Sequence, residues 1–139
     1  MFLIYQFLIT ILIILSPIII LVRILRNKED PKRFIEKFFL TEKIKQKGNI
    51  IWFHAASVGE FLSITPLIYE LEKNNKIKKI LITTSTLSSS KVFNDFKFKK
   101  TYHRFFPIDS FFFSKKFIDY WNPKVAIFID SEIWPNMFK

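Results

Sequence analysis

Residues 50–60 read IIWFHAASVGE, and this stretch decides the fold. The mostly apolar residues 50–55 predict a buried β-strand, and the apolar residues after Gly59 recur at helical spacing to about residue 74. Between them lies a run of small residues that ends in the carboxylate of Glu60. A strand, a short loop and a helix in this order predict a β–α unit of a parallel sheet.

The rest of the chain repeats the same alternation. Strand-like segments are expected at residues 79–84, 102–106 and 124–130, and helical segments at 88–98 and 110–121. Strands that alternate with helices form a parallel sheet with helices on its faces. The predicted fold class is therefore α/β, with a Rossmann-like domain over residues 49–139.

The N-terminus predicts a membrane anchor. Residues 2–22 carry no charged side chain, and at about 1.5 Å per residue they reach roughly 31 Å, the thickness of a bilayer core. Arg23, Arg26 and Lys28 follow this run, whereas a cleaved signal peptide carries its basic residues in front. We therefore expect a single-pass anchor over residues 1–25 with the following chain in the cytoplasm. Asp30 and Pro31 predict the start of a basic amphipathic helix within residues 26–48.

Composition excludes several classes of function. The chain has no cysteine, which excludes thiolate metal sites and cysteine nucleophiles, and we expect no metal centre. With only two glycines, neither a P-loop nor a dinucleotide fingerprint can be written, so no cofactor is expected. Residues 23–47 hold nine basic and four acidic side chains, a balance that predicts contact with anionic membrane lipids rather than nucleic acid.

Two glutamates mark a candidate site. In the commonest strand order of such sheets, 3-2-1-4, the loops after the first and fourth strands face each other across a ligand crevice. These loops carry Glu60 and Glu132. The competing interpretation of Glu60 is local, because Ser57-Val58-Gly59-Glu60 has the S-x-x-E pattern of a helix capping box. Gly59 weakens a purely structural interpretation, since glycine lowers helix stability and leaves open space beside the backbone.

Four ordered motifs resemble one family. They read KEDPKRFIEKF (28–38), HAASVGEFLSITPLI (54–68), LITTSTLSSSKV (81–92) and FFPIDSFFFSKKFIDYWNPKVAIFIDSEIWPN (105–136). Together they resemble the N-terminal part of 3-deoxy-D-manno-octulosonic acid (Kdo) transferases, which act in lipopolysaccharide assembly. The resemblance implies the N-terminal half of a two-domain GT-B glycosyltransferase. It also implies an inverting, metal-independent enzyme of the bacterial inner membrane that uses CMP-Kdo as donor and the lipid A precursor lipid IV-A as acceptor.

The resemblance also implies roles for individual residues. Glu60 matches the glutamate that acts as general base on the acceptor hydroxyl. Glu132 matches an acidic residue of the same cleft, which would contact the acceptor or tune Glu60 through its like charge. The acceptor side would be lined by Ser57, Gly59, Thr84 and Ser85.

The chain departs from the family pattern in two respects. The segment after the second strand lacks a glycine that family members often carry, although its hydroxyls remain. The sequence also ends seven residues after Glu132, before the domain that would bind CMP-Kdo, so we expect this polypeptide alone to be inactive. Two alternatives stay open: a non-catalytic, membrane-anchored module that binds a lipid or a partner, and another GT-B transferase that acts on a lipid-linked sugar.

Overall fold

A computed structural model describes residues 2–38, 48–130 and 134–138. The described elements, in chain order, are α1 (Phe2–Leu25), a 3-10 helix (Phe34–Phe38), β1 (Ile50–His54), α2 (Val58–Lys73), β2 (Lys79–Thr84), α3 (Leu87–Asn94), β3 (Thr101–Phe105), α4 (Phe111–Trp121) and β4 (Val125–Phe128).

The four strands form one parallel sheet in the order β3-β2-β1-β4. Trp52 of β1 pairs with Leu81 of β2 on one side and with Ala126 of β4 on the other. The α/β class and the strand order predicted from the sequence are confirmed. Since β1 lies in the middle of the sheet, the loop that follows it emerges between two neighbouring strands.

The core has two parts, one on each face of the sheet. Because side chains alternate along a strand, Trp52 points to one face and Phe53 to the other. Trp52 packs with residues of α4 and the chain after β3, and its ring lies 5.0 Å from that of Phe117. Phe53 packs with the buried face of α2, including Phe61 and Ile68. Helices therefore cover both faces, as a parallel sheet requires.

Some predicted bounds are wrong. The third helix ends at Asn94 rather than residue 98, because Asp95 caps it and the aromatic residues beyond it pack onto Phe93. The fourth strand covers only Val125–Phe128, and Asp130 adopts a left-handed backbone with φ of 70°.

The predicted amphipathic helix is described only in its first part. Asp30 Oδ1 accepts hydrogen bonds from the backbone N–H groups of Lys32 (2.8 Å) and Arg33 (3.0 Å), so Asp30 does cap a turn. That turn leads into the 3-10 helix rather than an α-helix. Residues 39–47, the rest of the prediction, lie outside the described residues.

Helix α1 is long and apolar enough to cross a membrane by its length and composition. It also makes polar contacts at both of its ends, with the domain at its start and with the segment that follows it at its end. Near its start, the Tyr5 hydroxyl donates to Asp109 Oδ2 at 2.5 Å, and near its end Arg23 forms an ion pair with the buried Glu29 at 3.1 Å.

Candidate active site

The candidate site lies at the carboxyl ends of β1 and β2. The loop after β1 is held to β2, since the N–H of Ala55 donates to the carbonyl of Thr83 at 3.0 Å. The loop after β2 is held in return, since the N–H of Ser85 donates to the carbonyl of Ala56 at 3.3 Å. Two candidate segments that are distant in sequence, around Ser57 and Ser85, are thus neighbours.

Glu60 lies in the first turn of α2 and forms a modified capping box. Ser57 is the N-cap: its hydroxyl oxygen accepts from the Glu60 N–H at 3.3 Å and donates its proton to Glu60 Oε1 at 2.6 Å. In the usual box the glutamate accepts from the N–H of the cap residue itself. Here Glu60 Oε2 instead accepts from the N–H of Ala56, one residue earlier, at 2.8 Å. The carboxylate is therefore drawn back toward the end of β1, where a ligand would lie.

Open space lies beside this carboxylate. Gly59 is exposed, and a Cβ placed on it would meet no atom within 4 Å. Ser57, Glu60 and Ser85 are each partly exposed. A ligand that reached this edge would meet a carboxylate and two hydroxyl groups, which suits a polyhydroxylated molecule.

Thr84 lies inside the sheet rather than at this surface. It is fully buried, and its hydroxyl lies 2.8 Å from Nε2 of His103. An Arg33 guanidinium nitrogen lies 2.9 Å from Nδ1 of the same ring. Because Arg33 can only donate, Nδ1 accepts and Nε2–H donates to Thr84. Burial, together with the charges of Arg33 and Arg104, lowers the pKa of His103 to about 3, so the ring is neutral at pH 7.

Glu132, the second predicted carboxylate, lies outside the described residues. The chain that leads to it starts beside β1, because the N–H of Ile129 donates to the carbonyl of His54 at 2.9 Å. The proximity of Glu132 to Glu60 across the crevice stays a prediction.

Sequence reasoning missed Asp109, a buried carboxylate in the loop between β3 and α4. Asp109 accepts from the Tyr5 hydroxyl and from the backbone N–H groups of Asn136 (3.0 Å) and Met137 (2.9 Å). It thus joins α1, the loop after β3 and the segment 134–138. The signal was present in the sequence, since Asp109 follows a predicted strand and precedes the helix cap Ser110.

Helix α1 runs past this edge of the sheet. Ile9 and Leu12 border a cavity of about 220 Å³ whose other walls include Ser85, Phe106 and Trp134. Within residues 2–38, 48–130 and 134–138, no three His, Asp or Glu side chains are grouped closely enough to hold a metal ion.

The parallel sheet defines a Rossmann-like α/β protein, and the carboxylate and hydroxyl groups at its carboxyl edge form a candidate ligand site. Residues 32–139 match the family described as 3-deoxy-D-manno-octulosonic-acid transferase. The chain therefore belongs to the Kdo transferase family of glycosyltransferases.

Individual relatives agree with this assignment. A 3-deoxy-D-manno-octulosonic acid transferase of Rickettsia bellii is 36% identical over 132 residues, which are 95% of this chain and 32% of that protein. A probable mitochondrial transferase of the same name from Arabidopsis thaliana is 32% identical over 115 residues, covering 83% of this chain and 26% of that protein. The Haemophilus influenzae transferase is 34% identical over 87 residues, or 63% of this chain and 20% of its own length. The chain thus spans about a third, or less, of the length of these relatives.

Proposed function

We propose that this chain is the acceptor-binding part of an enzyme that transfers Kdo from CMP-Kdo to lipid IV-A in lipopolysaccharide core biosynthesis. The observation that carries the proposal is the partly exposed Glu60 carboxylate at the end of β1, in a chain of the Kdo transferase family. Open space beside Gly59 supports it, because an acceptor needs room to approach this carboxylate.

Glu60 is the proposed general base. The acceptor hydroxyl gives its proton to the carboxylate as its oxygen attacks the anomeric carbon of Kdo, and CMP leaves with the bonding electron pair. This is a single, inverting displacement that requires no metal ion. The capping bonds do not prevent it, since each carboxylate oxygen can accept more than one hydrogen bond.

The other site residues are proposed to position the acceptor. Ser57 and Ser85 offer hydroxyl groups beside Glu60, and Gly59 leaves the approach open. Thr84 acts indirectly, because its buried hydroxyl bonds to His103 and holds the end of β2, from which Ser85 projects. We keep Glu132 as an acceptor contact or a tuning charge.

This chain matches 32% of the length of the R. bellii transferase, and the donor site is proposed to lie in the part of that length that is not matched. Helix α1 and the basic residues that follow it hold the chain at the cytoplasmic face of the bacterial inner membrane. The base is thereby kept close to a lipid-linked acceptor.

The test uses this chain joined to the remainder of the R. bellii transferase, with Kdo transfer from CMP-Kdo to lipid IV-A measured in membranes. Glu60→Gln should lower the rate about 10²–10⁴-fold, the usual contribution of a general base. Glu70→Gln is the matched control, because Glu70 lies on the same helix but is exposed and paired with Lys73. Full activity in Glu60→Gln would disprove the assigned base. Lipid IV-A binding without transfer, unchanged by Glu60→Gln, would favour the non-catalytic module.

A further inference from the structure

Helix α1 has one side that is at least partly covered by the rest of the chain. The residues that are at least partly covered recur at helical spacing from its start to its end; they are Tyr5, Gln6, Ile9, Ile13, Ser16, Ile20, Arg23 and Ile24. At about 1.5 Å per residue, this stripe runs for roughly 28 Å.

Polar contacts fix both ends of the stripe. At the start, Tyr5 donates to Asp109, and the Gln6 amide donates to Asn136 Oδ1. At the end, Glu29 is 3% exposed and accepts from Arg23 at 3.1 Å and from Lys37 at 2.6 Å. The contacts at the start of α1 reach the loop after β3 and the segment 134–138. Those at its end stay within residues 23–37, a segment that Glu36 joins to β3 by accepting from the Phe105 N–H.

The opposite side of α1 is apolar and exposed. Its exposed residues include six that recur at helical spacing, with exposed fractions from 57% to 82%; they are Leu3, Phe7, Ile14, Ile18, Leu21 and Leu25. One face of the helix thus contacts protein, and the other presents a continuous hydrophobic stripe.

A helix that crossed the bilayer could not keep the contacts of Tyr5 and Gln6 with the domain. With Arg23 at the membrane surface, Tyr5 would lie about 27 Å away, near the far side of a hydrocarbon core of about 30 Å. The buried Asp109 carboxylate and the Asn136 amide would then have to enter lipid, or lose their partners in α1. Burying a charged group in a bilayer is strongly unfavourable.

Aromatic and basic residues extend the exposed face. Phe111 and Phe112 are 57% and 55% exposed and follow Asp109 closely, so they lie near the start of α1. Lys115 and Lys116 lie over their rings at 6.0 and 4.3 Å. At the other end of α1, exposed Arg26 and Lys28 follow the helix. Cations at both ends of an apolar stripe match a surface of anionic lipid headgroups over an apolar interior.

We propose that α1 lies in the plane of one leaflet of an anionic bilayer, rather than across the membrane, with Phe111 and Phe112 inserted beside it. The spanning anchor expected from the sequence satisfies the length criterion but leaves the lengthwise contacts of α1 without an explanation. Since Leu12 borders the same cavity as Ser85, the carboxyl edge of the sheet then faces the lipid surface. The proposal does not depend on the chemistry at Glu60.

The test is chemical cross-linking in native membranes, which is simple because the chain contains no cysteine. Two cysteine pairs join the first half of α1 to the domain. The pair Q6C and N136C replaces two residues that form a hydrogen bond with each other, and the pair L12C and I108C replaces two residues that border one cavity. The control pair is K28C with K91C, which border a cavity beyond the end of α1 and stay close in either topology. Membranes of a bacterial expression host that carry the full chain are treated with a short bismaleimide.

An in-plane helix gives an intramolecular product with all three pairs, in comparable yield. A spanning helix gives the product with the control pair alone, and that result overturns the proposal. A product of the L12C–I108C pair that forms only after detergent extraction overturns it as well. An intermolecular product shows that a second copy, not lipid, covers the exposed face of α1, and it also contradicts the proposal.

Discussion

At the scale of single residues, Glu60 combines an observed capping role with the proposed role of general base. Ser57 and the Ala56 N–H use one acceptor position on each carboxylate oxygen. Because the second bond goes to Ala56 rather than to the cap residue, the carboxylate stays close to the end of β1. The capping bonds, which favoured a purely structural interpretation of the sequence, therefore also orient the carboxylate that is the proposed base.

Gly59 provides a test that separates these two roles. A methyl group at this position meets no neighbouring atom, so Gly59→Ala should raise the free energy of unfolding by about 0.5–1 kcal/mol through helix propensity. The same methyl group occupies the approach to Glu60. The catalytic efficiency of the hybrid transferase, which is this chain joined to the remainder of the R. bellii transferase, should therefore fall. Urea unfolding of the chain in mild detergent and Kdo transfer by the hybrid measure the two effects.

The other glycine of the chain is the control for Gly59. Gly48 has φ of 116°, and a Cβ there would approach Lys78 to 3.0 Å, so Gly48→Ala should destabilise the fold by about 1 kcal/mol or more. A more stable Gly59→Ala protein with unchanged efficiency would show that no ligand passes beside this residue.

At the scale of elements, the sequence predicted the order and type of the strands well. In β1 and β2 the pattern of apolar residues along the sequence matches the burial of the strands in the sheet. The sequence predicted the segment after α1 less well. There, the interactions of Arg33 decide the structure: it bonds to Ser90 and His103 on two other elements, and Glu36 accepts from the N–H of Phe105. Such long-range contacts leave no periodic trace in a sequence. The same limit applies to Asp109, whose partners Tyr5 and Asn136 are distant in the chain.

This network predicts a pH dependence of stability. His103 has a pKa of about 3 in the folded chain and about 6.5 when unfolded, so between these values only the unfolded chain binds the proton. Stability is therefore fully present above pH 6.5 and falls by up to about 1.4 kcal/mol per pH unit as the pH decreases toward 3. Urea unfolding between pH 4 and 7 should show this slope.

His103→Gln is the reference for that slope, since glutamine can still donate to Thr84 but does not titrate. We expect this variant to be less stable at pH 7 and to depend less on pH. Asp30 and Glu72 also titrate: burial raises their pKa values, but backbone N–H donors outweigh it and hold both pKa values below their usual range. Both carboxyl groups are present in the native protein and in His103→Gln, so their contribution cancels in the comparison. Parallel curves for the two proteins would mean that His103 is protonated in the folded state.

At the scale of the whole molecule, the two edges of the sheet differ. The β3 edge is covered at its carboxyl end, because Glu36 accepts from the Phe105 N–H and Arg33 lies over the Phe105 ring at 5.0 Å. The β4 edge has one strand neighbour among the described residues, and its Val125 and Ile127 are 49% and 37% exposed. An uncovered parallel edge with apolar side chains is a template for pairing with another chain.

The open β4 edge predicts self-association of this chain in detergent micelles, where the exposed face of α1 is already covered. The double substitution Val125→Lys and Ile127→Lys places two charges along the edge and should weaken association about tenfold or more, measured by sedimentation in density-matched detergent. Leu67→Lys on α2 is the matched control, since Leu67 is a similarly exposed apolar residue, 47% exposed, on a helix surface. An equal effect of Leu67→Lys would assign the association to general hydrophobic contact, whereas a selective effect at β4 assigns it to strand pairing at the edge of β4 that faces away from β1.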